Sequence, residues 1–207
     1  DQFTIRNLEL FDSPHKNAMT LLDVLDHTLS PMGGRCLRRW LALPLKDQQK
    51  IEERLSAVEF FVHNETNREP IEQNIQEIGD LERLISKVAV GKANPKEILQ
   101  LKRGLDFIDP IQKECQTISN ELIQQLAKKL DPCHSLRERI EKTLELDAPV
   151  LVNKGGVIKA GISQELDDLR KIAYSGKDYL LQIQQREIEN TGISSLKIGF
   201  NNIFGYY

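Results

Sequence analysis

The last quarter of the sequence, residues 163–207, constrains the rest, because its apolar residues change period partway along. Ile162, Leu166, Leu169, Ile172, Ala173, Leu180, Ile183 and Ile188 recur at a spacing close to 3.5, with Gly176 standing in the stripe. That spacing draws one narrow seam along a long helix, and a seam so thin suits a single partner helix. Ser163 fits the N-cap, with Glu165, Asp167 and Asp168 at or near the first turn, and Gly192 fits the residue just past the C-terminus. About 29 residues make a rod of roughly 43 Å. That is longer than a small domain is wide, so the rod is expected to protrude.

Beyond Gly192 the pattern alternates. Ser195 to Phe200 reads as a half-buried strand, Asn201-Asn202 as a turn, and Ile203 to Tyr207 as the start of a second strand. A two-stranded hairpin is marginal alone. A strand ending on two tyrosines is more easily explained as a cut in a longer chain than as a natural terminus.

The 207 residues suffice for one large or two small domains, and the net charge of −3 is mild. No apolar run approaches the ~20 residues of a bilayer span, and the N-terminus carries no targeting segment. Cys36, Cys115 and Cys133 are odd in number and widely spaced, which fits a reducing, cytoplasmic setting better than a disulfide scaffold.

The segment Thr4 to Leu10 is able to form a short strand. From Thr20 onward the pattern is helical. Leu21, Leu22, Leu25 and Leu29 line one short helix, and Ser30-Pro31 caps the next, which Pro44 stops. That second helix has an apolar side of Cys36, Leu37, Trp40 and Leu41. Asp47 caps a helix bearing Ile51, Leu55, Val58 and Val62; Pro70 opens one bearing Ile71, Ile75 and Ile78; and Gly79-Asp80 restarts the chain through Leu81, Leu84, Ile85 and Val88. Asn94-Pro95-Lys96-Glu97 is a capping box leading Ile98, Leu101, Leu105 and Ile108. Short helices around 121–130 and 136–144 follow, and then residues 150–158 resemble a small hairpin.

Two basic features compete between ligand and solvent. Arg35, Arg38 and Arg39 share the polar side of their helix, which suits phosphate, or simply a solvated face paired with Asp23 or Asp26, the reading favoured here. The stretch from Arg83 to Arg103 is basic in a chain that is acidic overall, and reads mainly as solvated helix surface.

No catalytic or metal-ligating residues emerge. Neither Gly91-Lys92 nor Gly176-Lys177 completes a G-x-x-x-x-G-K-[ST] phosphate loop, and no His-Glu-x-x-His, Cys-x-x-Cys or G-x-S-x-G occurs. Cys133-His134 is the one adjacent nucleophile and base. Neighbouring residues usually point apart, and this pair follows Asp131-Pro132 in an interhelical turn. His15, His27 and His63 form no ligand spacing. The residues by themselves therefore support a mainly α chain and no enzyme.

The order of short motifs adds more. Thr20-Leu21-Leu22-Asp23-Val24-Leu25-Asp26-His27-Thr28, followed by Ser30-Pro31-Met32-Gly33-Gly34-Arg35-Cys36-Leu37-Arg38-Arg39-Trp40-Leu41, resembles the core domain of the MutS family of mismatch-repair proteins. So do Arg6-Asn7-Leu8-Glu9-Leu10, Gly79-Asp80-Leu81-Glu82-Arg83, Glu165-Leu166-Asp167 with Leu169-Arg170, and Lys197-Ile198-Gly199-Phe200-Asn201 with Gly205-Tyr206-Tyr207. The resemblance covers nearly the whole chain. Ser30 and Cys36 are small departures from it.

What the resemblance implies is a helical core domain over 1–145, then a lever helix and the truncated start of a clamp over 146–207. The clamp would close on mismatched duplex DNA and the lever would couple it to ATPase state. Mismatch reading by a Phe-x-Glu motif, and ATP with Mg at a phosphate loop, belong to other domains of such proteins. A homodimer and a MutL-type partner are implied as well. In this chain the lever seam would lack its partner helix, so another copy is expected to cover it. For DNA backbone contact the tip offers Lys197 as a point charge and Asn201 and Asn202 as neutral donors, although Asn201-Asn202 serve equally well as plain turn formers. Phe200, Tyr206 and Tyr207 read as clamp core rather than stacking platforms. Residues 163–192 carry six acids and four bases, so charge alone does not point to DNA. The competing reading is a helical scaffold or coiled-coil module with no nucleic-acid role.

Overall fold

The computed structural model describes residues 2–203 and 205–207, with only the backbone of Lys177. Phe204, expected in the second strand, lies outside the described residues. The chain divides into two compact units, Asp1–Val157 and Ile158–Tyr207.

The first unit opens on a correction. Residues 4–10 do not form a strand: α1, Gln2–Asn7, is a short helix. It closes when Glu9 turns left-handed at φ 46°, which brings Leu10 into the interior. An isolated strand would need an edge to pair with. Here the Glu9 and Leu10 carbonyls instead accept from the Leu21 and Leu22 amides at 3.1 Å each. Thr20, itself buried, makes a capping box with Asp23 and starts α2, Leu21–Leu25. Leu29 lies outside α2, because the Asp26 carboxylate accepts from the Thr28 amide and hydroxyl and turns the chain.

Ser30 caps α3, Pro31–Ala42, with Pro31 at the first position. Its inward residue is Met32, which packs on the core, whereas Cys36 and Trp40 are exposed. Asp47 caps α4, Gln48–His63. Asn64 ends α4 and begins α5, Glu65–Ile78, so Pro70 lies inside that helix instead of opening it. One backbone bond is forgone there, and Arg68 beside it holds Glu65 and Glu72 at 3.1 and 3.3 Å.

Gly79, at φ 71°, breaks the chain, and Asp80 caps α6, Leu81–Ala89. Asn94 and Glu97 form the expected capping box on α7, Pro95–Asp106. Ile108 does not continue α7. It opens α8, Ile108–Thr117, after a single non-helical residue, Phe107; Pro110 has no amide to offer the Asp106 carbonyl, so the ladder restarts there. α9, Glu121–Lys129, and α10, His134–Thr143, complete the body. No hairpin forms over 150–158. A single 3₁₀ turn, Val152–Lys154, is followed by Gly155 and Gly156 at positive φ, and the Glu145 amide donates to the Val157 carbonyl at 2.9 Å.

The core joins α5, α6, α7, α8 and α9, with Leu84 contributed by α6. Ile71 and Ile78, Leu101 and Leu105, Ile108 and Ile111, and Ile123 interlock around Ile118, which is 1% exposed. Polar side chains close the open helix ends. Gln112 donates to the Ala127 and Leu130 carbonyls at 3.1 and 2.6 Å, and Gln124 to the Ile118 carbonyl at 2.9 Å.

The second unit is built on α11, Gln164–Thr191, a continuous helix of 28 residues. The Ser163 hydroxyl accepts from the Leu166 amide, and Gly192, left-handed at φ 73°, closes the other end by donating to the Ile188 carbonyl. The strands β1, Phe200–Asn201, and β2, Gly205–Tyr206, pair antiparallel with Phe200 opposite Tyr206. Gln184 donates to the Leu196 carbonyl at 3.0 Å, and Tyr206 shares a groove with Gly176 and Leu180, so the segment after Gly192 lies back along α11.

Two helical glycines should respond oppositely to alanine. A Cβ on Gly104 would stand 2.4 Å from the Ile78 carbonyl oxygen and 2.8 Å from Leu81 Cδ2, whereas one on Gly176 meets nothing within 4 Å. Gly104→Ala is expected to destabilise by about 1–3 kcal/mol. Gly176→Ala is expected to stabilise α11 by about 0.5–1 kcal/mol. Denaturant midpoints of the two variants check both signs.

Candidate nucleic-acid interface

The tip residues take their positions from hairpin geometry. The turn includes Asn202 and Ile203, one residue later than the sequence implied, and Asn201 belongs to β1 opposite Gly205. Its side-chain oxygen accepts from the Ile203 amide at 2.8 Å, so Asn201 shapes the turn it enters. Asn202 and Lys197 are exposed, and Lys197 has no ion pair among the described residues. All three fall within one short exposed segment, which leaves Lys197 and Asn202 as available donors. Gly199 and Tyr207 exchange backbone hydrogen bonds at 2.9 and 3.0 Å. The Tyr207 ring lies against Gly199, where a Cβ would stand 2.7 Å from its Cζ. Phe200 and Tyr206 pack ring to ring at 5.0 Å, bracing the strand pair from one side.

The root of α11 is fixed by groups that periodicity does not reveal. Asp167 accepts from the Gly161 amide at 2.7 Å and from Arg170 at 3.1 Å, while Arg170 donates to the Ile158 carbonyl at 2.7 Å. Two side chains on the first turns thus hold the entering chain. Their i, i+3 spacing was the available signal.

The arginine face does not form a phosphate cradle. Arg35 grips Asp80 with both terminal nitrogens, at 3.0 and 2.6 Å, and Glu82 through Nε at 2.8 Å. The partner carboxylates are therefore not Asp23 or Asp26, which are occupied by Thr20 and Thr28. Arg38 lies over the Phe11 ring at 4.2 Å. Three of the six basic residues between Arg83 and Arg103 are consumed too. Lys87 pairs with Glu97, Lys102 with Asp106 and Glu141 at 3.0 and 3.4 Å, and Arg103 with Glu77 at 3.2 Å.

Cys133 and His134 do not cooperate. Cys133 packs against the hydrophobic core in a left-handed conformation, whereas the His134 ring approaches Asp109 at 3.4 Å and Arg137 at 3.4 Å. Burial pushes the Cys115 thiol above its ordinary value, away from reactivity. Among the described residues, no group of three or more His, Cys, Asp or Glu is arranged to hold a metal ion, and no helix is long and apolar enough to cross a membrane.

Comparison with known proteins agrees with the motif order. A family model described as MutS domain III matches residues 3–197. The DNA mismatch repair protein MutS of Bacteroides fragilis is 54% identical over 207 residues, covering 100% of this chain and 24% of that protein. The proteins of the same name from Christiangramia forsetii and Flavobacterium johnsoniae are 55% and 54% identical over the same shares. The chain thus spans about a quarter of the length of the relatives it matches.

The charged ties predict an acid response. Hydrogen bonding from Arg35 holds the Asp80 carboxyl below the ordinary carboxylate range, and Arg137 does the same for Asp109. Both native values lie below the unfolded ones, so the stabilisation is complete above the ordinary pKa near ~4 and is lost as pH falls through the native value. The thermal midpoint should stay level from pH 7 to 5 and drop below about pH 4. Asp80→Asn keeps an N-capping side chain while removing the charge; it should lower the midpoint at pH 7 and flatten the acid fall.

Proposed function

This chain belongs to the MutS domain III family, and from that premise we propose that it is the core and lever section of a DNA mismatch-repair protein. Residues 1–145 serve as the core, and residues 146–207 as the lever and the start of the clamp. The observation that carries the reading is α11 itself, an unbroken 28-residue helix tied at its root by Asp167 and Arg170 and bearing the hairpin segment on its other half. Internal backbone bonds make such a helix stiff. A rotation imposed at its root therefore reaches the hairpin, where it opens or closes the grip on duplex DNA.

In this reading Lys197 pairs with a backbone phosphate, while Asn202 donates to phosphate or sugar oxygens without reading bases. Asn201 contributes through the turn it builds and through its amide. ATP and Mg act on polypeptide outside these residues, since Gly91 ends α6 at φ 65° and Gly176 lies mid-helix, and neither offers a phosphate loop. Mismatched duplex DNA, a second subunit and a MutL-type protein are the partners, and the cytoplasm is the setting.

The test is duplex binding by the full-length polypeptide as a function of salt. Lys197→Glu should weaken binding to matched and mismatched duplexes alike and reduce the slope of log K against log salt by about 1. Binding indifferent to both salt and Lys197→Glu favours the helical scaffold.

A further inference from the structure

Helix α4 is apolar on two sides. Ala57, Phe60 and Phe61 pack on the core, while Ile51, Leu55, Val58 and Val62 form a second stripe, exposed by 37%, 61%, 58% and 63%. The steps of four, three and four residues are those of two coiled-coil heptads. An ordinary surface helix needs one apolar stripe, so a second one calls for a second cover. Val58 and Val62 also border a groove of about 360 Å³ lined by Ile71 and Ile75 and closed by Arg68, which is large enough to receive a branched or aromatic side chain.

We infer that this stripe seats an amphipathic helix from the same longer polypeptide, outside residues 1–207, with two heptads of apolar residues flanked by Lys or Arg. The inference shares with the functional reading only the premise that the chain is one segment of a larger protein. Size argues for a tethered occupant over a second copy. Two heptads fall short of the three or four that mark a coiled coil between free chains, and four side chains bury far less than the ~1,200 Å² of a stable bimolecular interface. A tethered helix, at an effective concentration of order millimolar, needs much less. The relatives, of which this chain covers 24%, contain the polypeptide to supply it. Charge fixes its rim. Glu52 and Glu59 occupy equivalent heptad positions beside the stripe without an ion pair among the described residues, whereas Arg54 on the other flank is stacked on the Trp40 ring at 3.8 Å.

Maleimide labelling tests this, read site by site from peptide masses. Leu55→Cys and Val58→Cys should react at least tenfold more slowly in the full-length polypeptide than in residues 1–207, while Gln49→Cys, on the opposite side of α4, reacts equally in both. Leu55→Asp should lower the thermal midpoint of the full-length protein and leave that of residues 1–207 unchanged. Equal rates at 55 and 58 in both proteins would overturn the inference. So would protection in residues 1–207 that vanishes on dilution, which would mean a second copy. Labelling does not depend on DNA, so fast labelling with salt-dependent duplex binding removes only the covering helix. Protection without such binding removes only the functional reading.

Discussion

The fork of Arg35 on Asp80 is the contact through which the first unit is organised. Asp80 does two jobs with one carboxylate: it accepts from the Arg83 amide as the cap of α6 and from both terminal nitrogens of Arg35. A side chain from α3 is thereby fixed to the start of α6, directly after the Gly79 break. At the same break α7 comes close, with Gly104 against the Ile78 carbonyl. Helix pairing, capping and a charged tie therefore converge within a few residues. Partly exposed ion pairs are individually weak. This one has bidentate geometry and acts at a chain reversal, where it selects one direction for the outgoing helix.

That convergence explains why two of the sequence motifs occur together. The glycines and arginine of Pro31-Met32-Gly33-Gly34-Arg35 and the acidic residues of Gly79-Asp80-Leu81-Glu82-Arg83 lie 45 residues apart in the chain and meet in space. Gly33 and Gly34 run close to Thr28, with a Cβ on Gly33 only 3.2 Å from the Thr28 Cβ. The close approach of that turn helps hold the start of α3 where Arg35 can reach across.

Features set by local chemistry were legible in the sequence. The caps at Ser30, Asp47, Asp80, Asn94 and Ser163, the break at Gly79 and the extent of α11 all follow from side chains acting on neighbouring backbone. What was not legible depended on distant partners. Residues 4–10 alternate like a strand but have no edge to join, so they coil. Trp40 looked like core from its position on α3, yet it lies half exposed under Arg54. Pro70 carries two readings, helix start or helix interior, and local chemistry does not decide between them; α5 starts at Glu65 and runs through it. At the tip, the composition of Lys197, Asn201 and Asn202 was readable, while the one-residue displacement of the turn required the pairing of Phe200 with Tyr206.

The junction at the base of α11 carries a mechanical consequence. Here the entering chain is held at two heights, the Ile158 carbonyl by Arg170 and the Gly161 amide by Asp167, and those two side chains hold each other. Unwinding the first turns of α11 therefore means giving up these side-chain ties together with the backbone bonds, so this end of the helix frays less readily than one held by its cap alone.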